Sequence, residues 1–184
     1  MNTVRYYAAL AYMDLKKDDE AIGELEASIQ SPYVVPELYL TLGSLCTQRK
    51  RYREADDLCR KAIAPDPARS DSYLNLAQLY NAQGLSGKAL DALRQALPPG
   101  KTFPTSHYYQ QLQADIHFET GRAYAAKGNP REAIAAYLRC LALDSGRAAV
   151  HRKLAGLYQE LGDGTHAVEQ AALADKLDGP KAAK

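Results

Sequence analysis

The strongest constraint on this chain is a repeat of itself. Alanines stand at Ala21, Ala55, Ala89, Ala133 and Ala167, at steps of 34, 34, 44 and 34 residues. The series Tyr12, Cys46, Tyr80, Tyr124, Tyr158 keeps the same steps, and so does the small-residue series Ala9, Gly43, Ala77, Gly121, Ala155. Self-similarity at this period marks stacked supersecondary units, each too small to bury its own apolar face. The small residues let two helices approach closely, and the tyrosines and Cys46 fill the space between them. The stretch from Ile116 to Asp144 shows the unit most clearly, as two amphipathic helical patterns meeting at a sharp break. Gly128 stops the first helix, because a residue just past a helix end often needs positive φ. Asn129 is placed to cap the second helix, Pro130 suits its first position, and Glu132 lies at the offset that reaches back to the cap.

The pattern predicts an all-α fold of about five helix–turn–helix repeats, ten major helices and no strand. The expected pairs are Thr3 to Lys16 with Asp18 to Gln30, ended by Ser31-Pro32; Pro36 to Gln48 with Tyr52 to Ile63, ended by Ala64-Pro65-Asp66-Pro67; and Ser70 to Gln83 with Ser86 to Leu97, where Ser86 can cap the second helix. A fifth pair runs from Arg147 to Leu161 and Thr165 to Leu177, and Gly179-Pro180 ends it. One array then covers residues 1–181, with repeats at about 2–35, 36–69, 70–103, 114–147 and 148–181, an insertion at 104–113 and a tail at 182–184. The tail from Lys181 onward is expected to be disordered. Near the insertion, Pro98-Pro99-Gly100 and Pro104 cannot be helix interior. A loop there leads to an overlong helix from about Ser106, capped by Thr105 or Ser106, to Lys127, whose extra turns project roughly 10 Å beyond its neighbours at 1.5 Å per residue.

Bulk properties exclude several classes. The net charge is +1, from 23 basic and 22 acidic residues, which supplies no general field for nucleic acid or membrane. No run of ~18 apolar residues spans a bilayer, and the N-terminus lacks a signal-peptide pattern, so a cytoplasmic protein is expected. Cys46, Cys59 and Cys140 fall where the repeat wants small apolar side chains, and are read as buried thiols without a bridge. Gly100-Lys101-Thr102 lacks the earlier glycine and the preceding strand of a phosphate loop. The basic run Arg49-Lys50-Arg51-Tyr52-Arg53 lies at a helix–helix turn and reads as a solvated charge cluster. His117 and His151 replace Tyr39 and Tyr73 in the repeat and read as packing residues; no spacing suits a metal. With no catalytic constellation and no cofactor motif, the chain is not expected to be an enzyme.

The repeat resembles the tetratricopeptide repeat, a 34-residue helix–turn–helix unit with the pattern W-x2-L-G-x2-Y…A-x3-F…P. The second copy matches at Tyr39, Leu42, Gly43, Cys46, Ala55, Cys59 and Pro67. The third matches at Tyr73, Leu76, Ala77, Tyr80, Ala89 and Leu93, and the fourth at His117, Thr120, Gly121, Tyr124, Ala133 and Tyr137. Arg5 in the first copy and Ala171 in the fifth depart most. The resemblance implies a right-handed α–α superhelix whose first helices line a concave groove that binds a protein or peptide. The stripe next to the packing face then comprises Leu40, Ser44 and Thr47; Leu74, Gln78 and Asn81; Phe118, Arg122 and Ala125; and Arg152, Gly156 and Gln159, with Asn75 and Glu119 at its border. The amides would pair with a peptide backbone, and Arg122 and Arg152 would add positive charge. Some family members grip a terminal carboxylate with Lys and Asn on one first helix, Asn on the next, and Lys plus Arg on the third; here the first helix of copy one offers Tyr6 and Leu10 and that of copy three Asp71, which argues against such a clamp. The leading expectation is a protein-interaction scaffold. The alternatives are a regulatory or substrate-presenting domain of a larger enzyme, or a self-assembling structural array.

The two ends of the array differ. Ile29, Ile63, Leu97 and Leu141 recur at one position of the second helices, and Asp175 takes that place in the last copy, as suits a C-terminal end. The first helix is apolar nearly all round, which normally means burial on all sides. Tyr6, Leu10 and Met13 are therefore expected to form a self-association surface, giving a homo-oligomer through the N-terminal helix, or to pack on preceding repeats; the alternative is an apolar N-terminal end of the groove in a monomer.

Overall fold

The computed structural model describes residues 2–31 and 34–179. They form ten α-helices: α1 (Asn2–Asp14), α2 (Asp18–Ile29), α3 (Pro36–Gln48), α4 (Tyr52–Ile63), α5 (Ser70–Ala82), α6 (Ser86–Ala96), α7 (His107–Ala126), α8 (Pro130–Leu143), α9 (Ala148–Glu160) and α10 (Gly164–Asp178). No strand occurs among the described residues. The nine helices with expected bounds begin and end within about two residues of them. Pro32, Pro180 and the tail lie outside the described residues.

The chain divides into two compact units, Met1–Leu85 and Ser86–Lys184, with the boundary between α5 and α6. In the first unit α1 packs on α2 and α3 on α4, and α5 lies against both α3 and α4. Ala9, Ala21, Leu25, Leu42, Cys46, Ala55 and Cys59 are buried there. In the second unit α7 packs on α8 and α9 on α10, with α6 against α7. Its core joins Ala114, Ala133, Ile134, Tyr137, Cys140, Val150, Leu154 and Leu157, with Phe118, Tyr124 and Tyr158 packed at the margin. Each fully buried Leu or Val contributes about 1.5–3 kcal/mol, so the repeated positions carry most of the stability. The three cysteines are free and buried. Burial pushes the thiols up, Cys46 and Cys140 to about 11 and Cys59 to about 12.

The turn inside each pair has one construction. Lys16, Lys50, Gly84, Gly128 and Gly162 occupy equivalent positions, and all five have φ between 57° and 79°. The next residue's N–H then donates to the carbonyl five residues back: Lys17 to Tyr12, Arg51 to Cys46, Leu85 to Tyr80, Asn129 to Tyr124 and Asp163 to Tyr158, at 2.8–3.0 Å. This bond satisfies a carbonyl that the ending helix leaves free. It also corrects the expected capping box. Asn129 is the N-cap residue of α8, but its side chain makes no capping bond, and Glu132 is exposed. With its φ at −109° and ψ at 73°, Asn129 is held by its own N–H in the turn. The equivalent residue that does cap through its side chain is Asp163, which accepts the His166 N–H at 3.2 Å. Ser106 caps α7 as expected, accepting the Tyr109 N–H at 3.4 Å.

The insertion lengthens α7 to 20 residues, against 13 in α3, α5 and α9. The added turns are tied to the α8–α9 connection. Gln110 Nε2 donates to the Leu143 carbonyl at 2.7 Å, and Leu112 is buried. Arg147 donates to Gln111 at 2.8 Å, Asp115 at 2.6 Å and Asp144 at 2.7 Å, joining α7 to the α8–α9 connection. Arg69 does the same in the first unit, donating to Glu37 at 2.7 Å and to Asp71 at 2.7 Å and 2.8 Å. Arg69 and Arg147 are repeat equivalents, as are Glu37 and Asp115.

Candidate protein-interaction site

The stripe expected to face a partner is more occupied by the protein itself than its sequence implies. On α3, Leu40 is buried, and on α5 so is Leu74. These two helices touch, and both leucines belong to the packed interior of the unit. Ser44, Thr47, Asn75, Gln78 and Asn81 are half-buried. Thr47 Oγ1 donates to the Gly43 carbonyl at 2.8 Å, and Asn75 Nδ2 donates to the Asp71 carbonyl at 3.1 Å. Each bond returns to the residue's own helix. The acceptor oxygen of the Asn75 amide and both functions of Gln78 are the groups of suitable chemistry for a peptide backbone.

In the second unit Phe118 and Ala125 are half-buried, and Gly156 and Gln159 exposed. Phe118 packs on Tyr137 with ring centroids 5.9 Å apart. The positive charge expected at Arg122 and Arg152 is largely answered within the unit. Arg122 donates to both carboxylate oxygens of buried Glu119 at 3.0 Å, and Arg152 pairs with Asp178. A buried carboxylate without a cation would be strongly disfavoured, which is why Arg122 turns along α7.

The basic run at the α3–α4 turn is likewise paired. Arg49 meets Asp18 at 3.5 Å and Asp19 at 3.0 Å, and Arg51 meets Glu26 at 3.1 Å and Glu54 at 2.8 Å. These bridges tie the turn to α2. His151 is buried and shares a 2.7 Å hydrogen bond between its Nδ1 and Gln170 Oε1. His117 sits in an open cleft of about 200 Å³ lined by Leu90, Leu93 and Arg94 of α6, Leu97 just beyond it, Ile116, Thr120 and Tyr124 of α7, and Arg139 of α8. Burial, then the Arg139 charge, holds its imidazole below the usual histidine value. Lys101 lies 5.4 Å over the Phe103 ring in the insertion loop, which has no strand before it. Among the described residues no group of three or more His, Cys, Asp or Glu is placed to hold a metal, and no helix is long and apolar enough to cross a membrane.

On α1, Tyr6, Leu10 and Met13 are half-buried, while the large apolar side chains facing solvent are Val4, Tyr7 and Leu15. The exposed stripe is thus rotated about the helix from the expected one. Sequence reasoning also did not single out Arg69 and Arg147. Their signal was present, as an acidic residue followed 32 positions later by arginine in two copies.

Three stretches, residues 38–70, 70–97 and 114–147, match tetratricopeptide repeat families. The chain belongs to the tetratricopeptide repeat family. It is 30% identical over 157 residues to the cellulose synthase operon protein C of Xanthomonas axonopodis pv. citri (strain 306), a match covering 81% of this chain and 10% of that protein. The chain therefore spans about a tenth of the length of that relative. Its fold resembles the tetratricopeptide protein TTC0263 of Thermus thermophilus, with a TM-score of 0.80 at 21% identity over 99% of this chain and 93% of that one. It also resembles a chain of the APC/C hetero-tetramer Cut9-Hcn1, with a TM-score of 0.83 at 17% identity over 99% of this chain and 34% of that one. These likenesses concern the fold.

Proposed function

We propose that this tetratricopeptide protein is a non-catalytic scaffold that binds a segment of another protein along its first helices. The observation carrying this reading is the polar stripe of Ser44, Gln78 and Asn75 on α3 and α5, half-exposed on helices whose opposite faces are buried. Such a surface offers hydrogen-bonding groups on a rigid support, and it contains no paired nucleophile and base. In the second unit the corresponding surface is Phe118, Arg122 and Gln159, an aromatic ring beside a guanidinium already engaged with Glu119. The partner contacts proposed there are shape and stacking rather than recognition of an acidic terminus. One structural neighbour is part of a named hetero-tetramer, which agrees with an assembly role.

The test is proximity labelling to identify a partner, followed by titration of the purified pair. Alanine at Gln78 is expected to weaken binding by more than ~1 kcal/mol if its amide is a central contact. Alanine at Gln159, at the exposed margin, is expected to change little. Equal affinity for wild type and both the Gln78→Ala and Phe118→Ala proteins would remove the first-helix surface as the binding face.

A further inference from the structure

The cleft beside His117 does not belong to the first-helix stripe. It takes His117, Thr120 and Tyr124 from α7, whereas the stripe takes Phe118, Arg122 and Ala125. Its polar lining is Arg94, Arg139, His117, Thr120 and Tyr124, with no acidic side chain among them. The repeat shows what part of such a lining does elsewhere in the chain. By the repeat steps, Asp56, Arg60 and Tyr80 are the equivalents of Leu90, Arg94 and Tyr124. Arg60 Nε donates to one carboxylate oxygen of Asp56 at 2.6 Å, and the Tyr80 hydroxyl donates to the other at 3.1 Å. An arginine of the second helix and a tyrosine of the next first helix thus hold an internal carboxylate between them.

At the α6–α7 junction the arginine and the tyrosine are kept, but Leu90 stands where the carboxylate was. Two further changes make room: His117 replaces the larger Tyr73, and Thr120 replaces the larger Leu76. Arg94 uses Nη1 on Asp91 at 2.6 Å. Its Nε and Nη2, the Tyr124 hydroxyl and the exposed Arg139 guanidinium remain as donors among the described residues. Thr120 Oγ1 donates to the Ile116 carbonyl at 2.7 Å, so it offers the cleft only an acceptor. The His117 imidazole, held below the usual histidine value, is neutral at pH 7. We propose that this cleft binds a small aliphatic monocarboxylate, with its carboxylate at the place Asp56 holds in the earlier junction and its chain against Leu90, Leu93 and Ile116.

Three features favour that occupant. The chain itself demonstrates that this arginine–tyrosine pair takes a carboxylate, in charge-assisted hydrogen bonds. The remaining walls are aliphatic, so the acid needs an apolar body. The volume of about 200 Å³ is below the roughly 300–1,000 Å³ that encloses a drug-sized ligand, which fits a short acid. Arg139 adds a second cation from α8. The site is built from the second unit alone and does not depend on the partner surface proposed above.

The test is isothermal titration of sodium hexanoate into the 184-residue chain at pH 7, with proton NMR of the imidazoles as a second readout. Hexanoate is expected to bind at one site with a dissociation constant of about 1 mM or below. The His117 imidazole signal, assigned by its loss in His117→Gln, is expected to move with the same constant. Hexanamide, neutral and of the same shape, is expected to bind at least about tenfold more weakly. Tyr124→Phe and Arg94→Gln are each expected to weaken hexanoate by about tenfold. Leu90→Asp, checked for folding by circular dichroism, is expected to abolish hexanoate binding, because its own carboxylate takes the ligand's place. No binding of hexanoate up to about 20 mM, equal affinity for hexanamide, or unchanged affinity in both Tyr124→Phe and Arg94→Gln overturns the proposal. An acidic peptide, acetyl-Leu-Asp-Leu-amide, that binds where hexanoate does not would overturn it equally, since the cleft would then take a protein side chain rather than a small acid.

Discussion

A Cβ added to Gly121 would lie 2.5 Å from Cε1 of Tyr137. That separation is shorter than real side chains tolerate, and Tyr137 is fully buried, so the ring has no room to move away. At the equivalent position in the second copy, a Cβ on Gly43 would meet Leu58 at 3.6 Å and Cys59 at 3.7 Å, an ordinary contact. Cys59 is the equivalent of Tyr137. The two glycines look interchangeable in the repeat, yet the side chain opposite decides whether each is required.

Gly121→Ala is expected to destabilise the second unit by about 1–3 kcal/mol, the usual cost of overpacking. Gly43→Ala is expected to change stability by less than about 1 kcal/mol, since alanine also favours the helix. Urea unfolding of both variants checks the contrast. Tyr137→Leu in the Gly121→Ala background is expected to recover part of the loss; no recovery would show that the clash is not with the ring.

Arg147 joins three acceptors on two segments, and its side chain is only 20% exposed. Arg147→Ala is expected to cost about 1–2 kcal/mol, a charged hydrogen-bond network discounted for the exposure of Asp115. Arg147→Lys should not restore it, because one ammonium cannot span Asp115, Asp144 and Gln111. Hydrogen exchange is expected to quicken at the α8–α9 connection and the first turns of α7.

Lys50 holds φ at 60° where the last three copies place glycine. Lys50→Gly is expected to leave stability unchanged or raise it by up to ~1 kcal/mol, as relief of left-handed backbone offsets the added freedom of the unfolded chain. Gly128→Ala should lower it by about 1 kcal/mol for the same reason. Thermal melts that move in the opposite senses would refute this account of the turn.

His117, Glu37 and Asp144 are among the groups whose folded values lie below their ordinary ones, so each favours the folded state at higher pH. For His117 the cause is burial, then Arg139. At Glu37 burial acts in the raising direction, but the hydrogen bond from Arg69 and its charge outweigh it. For Asp144 it is the hydrogen bond from Arg147. The His117 contribution is complete above the unfolded histidine value of about 6.5 and is lost as pH falls through the lower folded value. The carboxylate contributions are complete above about 4 and are lost below it. Urea midpoints are therefore expected to drop between pH 7.5 and 5.5, and His117→Gln should flatten that drop without changing the further fall in acid.

The sequence by itself determined the element order, nearly every helix boundary, the turn positions and the buried series of small and aromatic residues. Those are periodic properties: a residue's place within a 34-residue unit sets which side of its helix it occupies, and the packing of one copy predicts that of the next. It also carried the tetratricopeptide family. Tertiary structure decided what periodicity cannot carry, namely which long side chains meet across helices. Leu40 and Leu74 are buried within the first unit although their stripe lies next to the packing face. Arg122 turned along α7 to answer the buried charge of Glu119, leaving less positive surface than its position suggested. Arg69 and Arg147 found acids 32 residues earlier because the first helix of the next copy begins beside them. On α1, rotation about the helix axis placed Val4, rather than Tyr6, on the exposed face. A helix that is apolar all round gives no phase from which to choose, so only its docking on α2 could decide which side faced out.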